Sequence, residues 1–481
     1  MPCQLPRSAA LALALLSLTF ISRPLAGQET PTEREAAKAV IAKMSTLERS
    51  LDVPKLVAKL SAPNAARDKV TARTKQLMDT ELLALADDIT RHPEHGFVEH
   101  ESVRKLTDYL KAKGFSVTIG VADLPTAFVA KRGSGTPNLG VIVEYDALRG
   151  TKGDFHGDQH SAQGPVGIAA AIAMAEYLEQ SKTPGTVTVY GTPAEEMSPP
   201  DVKTQMFKAG IFNGADVIVR SHSSDESTRP APGFGTCCLN IIHARYTFSG
   251  APAHQMTAWN GRNALTAVIH MFDNVDGMRS NMRPEARVQG IIKEGGAAPN
   301  VVPDRTVAEF YIRYPDAVYL EQVVAIVDST ARAAALGTGT KVKIEHLGED
   351  RDGISVATLS ELGYAYMKKF GATKVIDEPG KPMGFEETGS VSMAIPGLGV
   401  SSHSSNGSYH TYEMEKDALA EVGHHGFVVD AQVMAAVLFD FATRPEYRAA
   451  VKREFDGIHA LFGEYQEALK SAYPLPNVPE P

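Results

Sequence analysis

The sequence predicts an α/β protein: a domain built on a central mixed sheet flanked by helices, interrupted by a two-layer βαββαβ unit. Three observations predict it. The run Leu139-Gly-Val-Ile-Val143 is apolar throughout, as expected of a strand covered on both faces. From there to Arg220, strand-like runs alternate with helical patterns. Between about Cys237 and His346 the order changes to strand, helix, strand, strand, helix, strand, a unit closed on itself.

The elements follow in order. A length of 481 residues favours two or three domains. Residues 1–27 read as a secretory signal peptide: Arg7, the apolar run Ser8–Ile21, then the small residues around Ala26-Gly27. Its apolar core is too short to span a bilayer, and no cysteine follows the cleavage site to carry a lipid. A periplasmic or secreted protein without a membrane anchor is the expectation. Residues 28–74, Ala-rich and charged with helical spacing from Glu33 to Leu51, form an N-terminal helical arm. Residues 75–236 supply the first part of the main domain. Helices are expected around Leu77–Ile89 and Val103–Leu110, followed by extended runs at Phe115–Ile119 and Thr126–Lys131. After the strand that leads to Asp146 come a helix (Gly164–Leu178), a strand (Thr186–Tyr190), a helix (Val202–Ala209) and a strand (Asp216–Arg220). Residues 237–350 are the inserted unit. Residues 351–481 return to the main domain with a helix at Val356–Phe370, a loop-rich stretch to Thr411 and helices from Gly426.

Composition excludes several classes. With 43% apolar and 22% charged residues the chain is not disordered as a whole. A net charge of −9, from 48 basic and 57 acidic residues with no basic run, argues against a nucleic-acid partner. Three cysteines make no disulfide framework. Neighbouring Cys237 and Cys238 could bridge only through a strained ring, so two reduced, buried thiols are expected.

Chemistry-bearing residues gather where strands end, the usual place for sites on open α/β sheets. Beyond Asp146 lies His156-Gly-Asp158-Gln-His160; Asp-x-His lets a carboxylate and an imidazole converge on one cation, or forms a polar loop before a helix. Beyond Tyr190 comes Glu195-Glu196, where one carboxylate can bind metal while the other serves a water, unless the pair is merely a solvated surface. His222 follows Arg220; taken alone, such a His is more often a hydrogen-bonded structural residue than a ligand. Ser401–Thr411 contains His403, read as a solvent-facing loop residue, and His410; His424-His425 read as surface residues. In the inserted unit, His254, Asn300 and Arg313 offer polar groups, and Arg and Asn suit a carboxylate.

Taken together, this order is specific. Val143-Glu-Tyr-Asp-Ala-Leu148, Tyr190-Gly-Thr-Pro-Ala-Glu-Glu196, Ala253-His254, Gly261-Arg262, Pro299-Asn-Val-Val302 and Tyr409-His-Thr411 resemble the MH-clan zinc-dependent carboxypeptidase and aminoacylase family. The nearer likeness is to its amidohydrolase branch of hippurate, indoleacetyl-amino-acid and p-aminobenzoyl-glutamate hydrolases, over roughly residues 75–445.

That resemblance implies a catalytic domain holding two divalent ions, zinc or manganese, and hydrolysis of N-acyl amino acids or small peptides. It implies His160, Glu196, His222 and His410 as ligands, Glu195 as general base and His254 as oxyanion support. Asn300 and Arg313 would hold the substrate's carboxylate. The branch has Cys where this chain has Asp158; a carboxylate also bridges cations, and being harder it shifts preference from zinc towards manganese. His254 is followed by Gln-Met-Thr-Ala-Trp259 rather than the branch's Ala-Ala-x-Pro, a change at the substrate pocket. The resemblance further implies a homodimer formed through the inserted unit. A secreted protein that binds acyl-amino acids without cleaving them is the alternative.

Overall fold

The computed structural model describes residues 31–197 and 201–473; residues 1–27, read above as a signal peptide, lie outside the described residues. Six strands form the main sheet in the order 116–119, 128–134, 185–191, 138–143, 217–221, 397–400. The last four run parallel, and the first two add antiparallel at one edge, so the sheet is mixed. Both faces are covered, which explains the apolar runs. Leu139, Val141 and Val143 face a core shared with the helices His160–Ser181 and Glu421–Thr443. Ile142, Tyr190 and Ile218 face a smaller core with Met206, Phe212 and Phe385.

The helix His160–Ser181 is rich in Ala and Gly because it lies close against the sheet. A Cβ on Gly167 would fall 2.5 Å from Val143 Cγ1, so only glycine permits this approach. The close contact brings the first residue of the helix, His160, over the strand ends. Glu421–Thr443 is long and apolar enough to cross a bilayer, yet 83% of its most apolar window is buried. It is a core helix.

Four antiparallel strands, ordered 287–294, 305–314, 240–249, 341–350, make the second sheet. The helices Ala264–Met278 and Ala317–Thr338 pack on it around a separate core. Both ends of the described chain bridge the two cores. In the helix Pro445–Ala472, Val451, Phe455 and Ile458 enter the main core, whereas Tyr465 and Leu469 enter the second. The helix Pro31–Leu51 sends Val40 and Met44 into the second core beside it.

The helix Ala65–Leu77 continues through a π-helical turn, Met78–Leu82, into Leu83–Arg91. It crosses residue 75, where the sequence pattern suggests an arm ends, and its inner side is core. Arg67 is fully buried there, donating to Tyr366 Oη (2.6 Å) and the Ala62 carbonyl (2.6 Å) and pairing with Asp440 (3.4 Å).

Candidate active site

Parallel strands 138–143, 185–191, 217–221 and 397–400 deliver their following loops to one end of the sheet, and the candidate residues meet there. Asp146, just past the first strand, organises them. Its Oδ1 contacts His160 Nδ1 at 3.0 Å, and its Oδ2 accepts the Glu196 backbone N–H at 2.8 Å. That leaves His160 Nε2 facing the acids, 3.6 Å from Glu144 Oε2 and 3.9 Å from Glu195 Oε2. His410 Nε2 lies 3.4 Å from Asp158 Oδ2 and 3.6 Å from Glu196 Oε2. His222 Nε2 lies 3.9 Å from the same Asp158 oxygen.

Local backbone geometry makes this convergence possible. Gln159 (φ 55°), Ala194 (φ 55°) and His410 (φ 62°) are non-glycine residues in the left-handed region, which is uncommon and concentrates at functional sites. Gln159 turns the chain between Asp158 and His160, and its side chain is pinned by the carbonyls of Ser404 (3.2 Å) and Met414 (2.9 Å). Ala194 does the same before Glu195-Glu196.

Could these residues hold cations? The donor atoms of Asp158, Glu196 and His410 lie within 4.8 Å of one another, as do those of His160, Glu195 and Glu196. Glu196 belongs to both groups. Among the described residues, His160 Nε2 and Glu196 Oε1 find no hydrogen-bond partner though buried, which is costly unless a ligand fills the gap. Nitrogen and carboxylate donors suit zinc or manganese. The electrostatics agree. Burial pushes the Glu196 carboxyl up to about 7, and burial beside Glu387 pushes Glu195 well above the usual range. Burial opposes charge on His160, yet the Asp146 hydrogen bond and nearby acids hold its pKa well above the ordinary value. The cluster is short of positive charge.

Sequence reasoning gave no role to the ring of groups behind it. Lys203 Nζ lies 2.5 Å from Glu144 Oε1 and also pairs with Glu387. Arg220 Nη1 reaches Glu144 Oε1 at 3.2 Å and Glu387 Oε2 at 2.6 Å. Although burial opposes it, Arg220 and Lys203 hold Glu144 well below the carboxylate range, so it stays ionised and occupied. Asp146 was legible only as a strand-end residue. Nothing local in the sequence links Lys203 to Glu387.

Two expectations need correcting. His403 is buried rather than solvent-facing, because its Nδ1 contacts Thr373 Oγ1 at 2.7 Å beneath the loop. Cys238 is exposed and Cys237 only partly covered, because their segment lies on a cavity wall instead of in a core. His156 stands apart from the cluster, where burial holds its pKa down at about 3.

The cluster opens into a cavity of about 730 Å³ between the two sheets. Asp158, Glu195, Glu196, His222 and His410 line one side, and Arg313 of the inserted unit lines the other. His254 and Asn300 do not reach it in this chain. They sit together on the exposed surface of the inserted unit, where the Asn300 carbonyl accepts the Gln255 N–H at 3.0 Å.

Carboxylates and imidazoles at the ends of parallel strands, beneath a cavity walled by a second domain, define a metal-dependent hydrolase. Residues 239–338 match the peptidase dimerisation domain of the M20 family. Human Xaa-Arg dipeptidase is 30% identical over 395 residues, 77% of this chain and 88% of that protein. One of the subunits of p-aminobenzoyl-glutamate hydrolase from Escherichia coli is 33% identical over 303 residues, 60% and 62% of the two chains. In fold, the chain resembles a dinuclear metal binding peptidase of the M20 family from Bacillus subtilis (TM-score 0.55, 18% identity, 77% of this chain and 99% of that one). The chain belongs to the M20 peptidase family, and it is a hydrolase that cleaves amide bonds with the help of bound metal.

Proposed function

We propose that two divalent ions, zinc or manganese, would be held by Asp158, His160, Glu196, His222 and His410. The carrying observation is Asp158 Oδ2, which faces imidazole nitrogens on two sides, 3.9 Å from His222 and 3.4 Å from His410. When bound, such ions supply Lewis-acid activation of water and of the amide carbonyl. Glu195 takes the proton from the attacking water and passes it to the departing nitrogen. Arg313 holds the substrate's carboxylate in bidentate fashion.

The substrate is an N-acyl amino acid or a dipeptide. Among the cavity's acids, Glu386 and Glu387 are bonded to neighbours, but Asp350 Oδ1 is buried with no partner among the described residues. Burial and the acids Glu387, Asp201 and Glu386 push its pKa up to about 8. A cationic side chain there would relieve that repulsion, and the name of the human relative specifies a substrate ending in arginine.

The working form is a homodimer. Among the described residues nothing pairs with the outer side of the edge strand Arg287–Glu294, which exposes Ile291 and Ile292, as a strand awaiting a partner does. His254 and Asn300, remote from their own chain's cluster, then serve the other protomer's site. The leader-like segment 1–27 supports export to the periplasm or the exterior, which sequencing of the mature N-terminus tests.

The function is tested by amine release from a panel of N-acyl amino acids and dipeptides, with and without chelator. Cleavage that chelation abolishes, fastest with C-terminal Arg or Lys, is expected. Tight binding of panel members with no cleavage at any metal loading would instead support the non-catalytic alternative.

A further inference from the structure

We propose that Cys237 and Cys238 form a vicinal dithiol on the cavity wall that small disulfides oxidise reversibly to a Cys237–Cys238 disulfide, slowing hydrolysis. Both cysteines are free, both line the cavity, and Cys238 is exposed. A cysteine kept for packing would be buried among apolar side chains. These two instead occupy the junction between domains, linking the strand Gly233–Gly235 of the main domain to Asn240–Ser249 of the inserted unit. Leu239, immediately after them, has φ 135°, a conformation that side chains other than glycine rarely adopt. The junction therefore bends sharply where the thiols sit.

Cys238 is the reactive member. The hydrogen bond from Cys237 lowers its pKa to about 7 against the opposing effect of burial, with help from Lys381 and Arg313. A substantial thiolate fraction is present near neutral pH. That thiolate attacks a small disulfide, forms a mixed disulfide and expels one thiolate. Cys237 then loses its proton and attacks the Cys238 sulfur, expelling the second. Two protein thiols are oxidised and one small disulfide is reduced to two thiols.

Closing the ring costs local geometry, which is also why it reverses. Neighbouring Cα atoms are ~3.8 Å apart, shorter than the ~4.4–6.8 Å that disulfides prefer. Strained disulfides are the easily reduced, regulatory ones. The distortion falls on a strand tied both to the domain junction and, through Arg313, to the cavity. Asn240, two residues on, ties the two junction segments together through Asp352 Oδ1 (2.8 Å) and the Asp352 N–H (3.0 Å). Arg313, assigned above to the substrate's carboxylate, pairs in register with Ile241 on the same strand.

The test uses the full chain carrying Cys3→Ser and the probe 2,2′-dithiodipyridine. Two equivalents of thiopyridone should be released, and the peptide spanning 237–238 should lose two hydrogens and carry no adduct. The kcat/KM of the oxidised protein should fall at least ~10-fold, the scale of a small misplacement at a site, and dithiothreitol should restore it. Cys237→Ser should release one equivalent and keep a pyridyl adduct on Cys238. Two stable adducts on the wild-type pair, no reaction, or ring closure with unchanged kcat/KM would overturn the proposal. Its activity readout rests on the proposed function, but thiol release and peptide mass decide the site even if the untreated protein cleaves nothing.

Discussion

Asp158 carries an unusual share of the site. It precedes the left-handed Gln159, lies mostly buried, and presents one oxygen to both His222 and His410. A carboxylate in that position can bridge two cations while preferring harder ones than a thiolate would. Asp158→Cys should therefore keep both ions and shift preference from manganese to zinc in competition experiments. Asp158→Ala should lose metal and turnover together; full occupancy in that variant would remove Asp158 from the ligand set. Most of this residue-level picture was legible, because acids and imidazoles placed after successive apolar strands have few other reasons to recur. Asp146, Glu144, Lys203, Arg220 and Glu387 were not read as partners, because pairings such as Lys203–Glu387 depend on where distant segments meet. His403 misled for a related reason: its loop is polar in composition, but Thr373 and neighbouring segments cover it.

At the scale of elements, the strands were the most legible feature. A strand buried on both faces leaves a continuous apolar signature: Leu139–Val143 carries the full run and Val217–Val219 a shorter one, whereas Gly185–Gly191 alternates Thr with Val and is read from its β-branched residues. The helices 31–51 and 445–472 were harder to place, since an amphipathic pattern says that one side is buried without saying against what. The helix Ala65–Leu77 shows the cost of that ambiguity. Its charged composition suggests a peripheral arm, yet Arg67 reaches into the core, where it pairs with Asp440 and donates hydrogen bonds to carbonyl groups and Tyr366 Oη. Removing one partner of a buried pair strands the other charge, so Arg67→Ala should cost about 3–5 kcal/mol in urea denaturation. Replacing both, with Arg67→Met and Asp440→Leu together, should cost less than the single change. A smaller loss for Arg67→Ala than for the double variant would contradict this packing.

For the whole molecule, the decisive feature is that His254 and Asn300 lie on the surface of the inserted unit while the cluster of acids and imidazoles lies beneath the cavity. On the proposed function, a single chain would hold two incomplete halves of a site, which a twofold dimer would join. Glu195→Gln and His254→Ala are each expected to be inactive, but unfolded and refolded together in equal amounts they should form mixed dimers in about half of cases. Each mixed dimer has one intact and one doubly altered site, so activity should return to about a quarter of wild type. Mixed dimers that remain inactive would place His254 in its own chain's service. The βαββαβ unit itself was legible from the change in element order, whereas the reach of the helix Pro445–Ala472 across both cores was not.

If Glu195 is the base of a site whose metal is held by other residues, changing it must separate metal binding from turnover. Metal content and turnover, measured side by side for wild type and Glu195→Gln, show whether it does. Both proteins should hold two ions per chain, with turnover at least ~100-fold lower in the variant. A variant that loses its metal but keeps its activity, or a wild type that cleaves amides with no metal bound, would contradict this assignment.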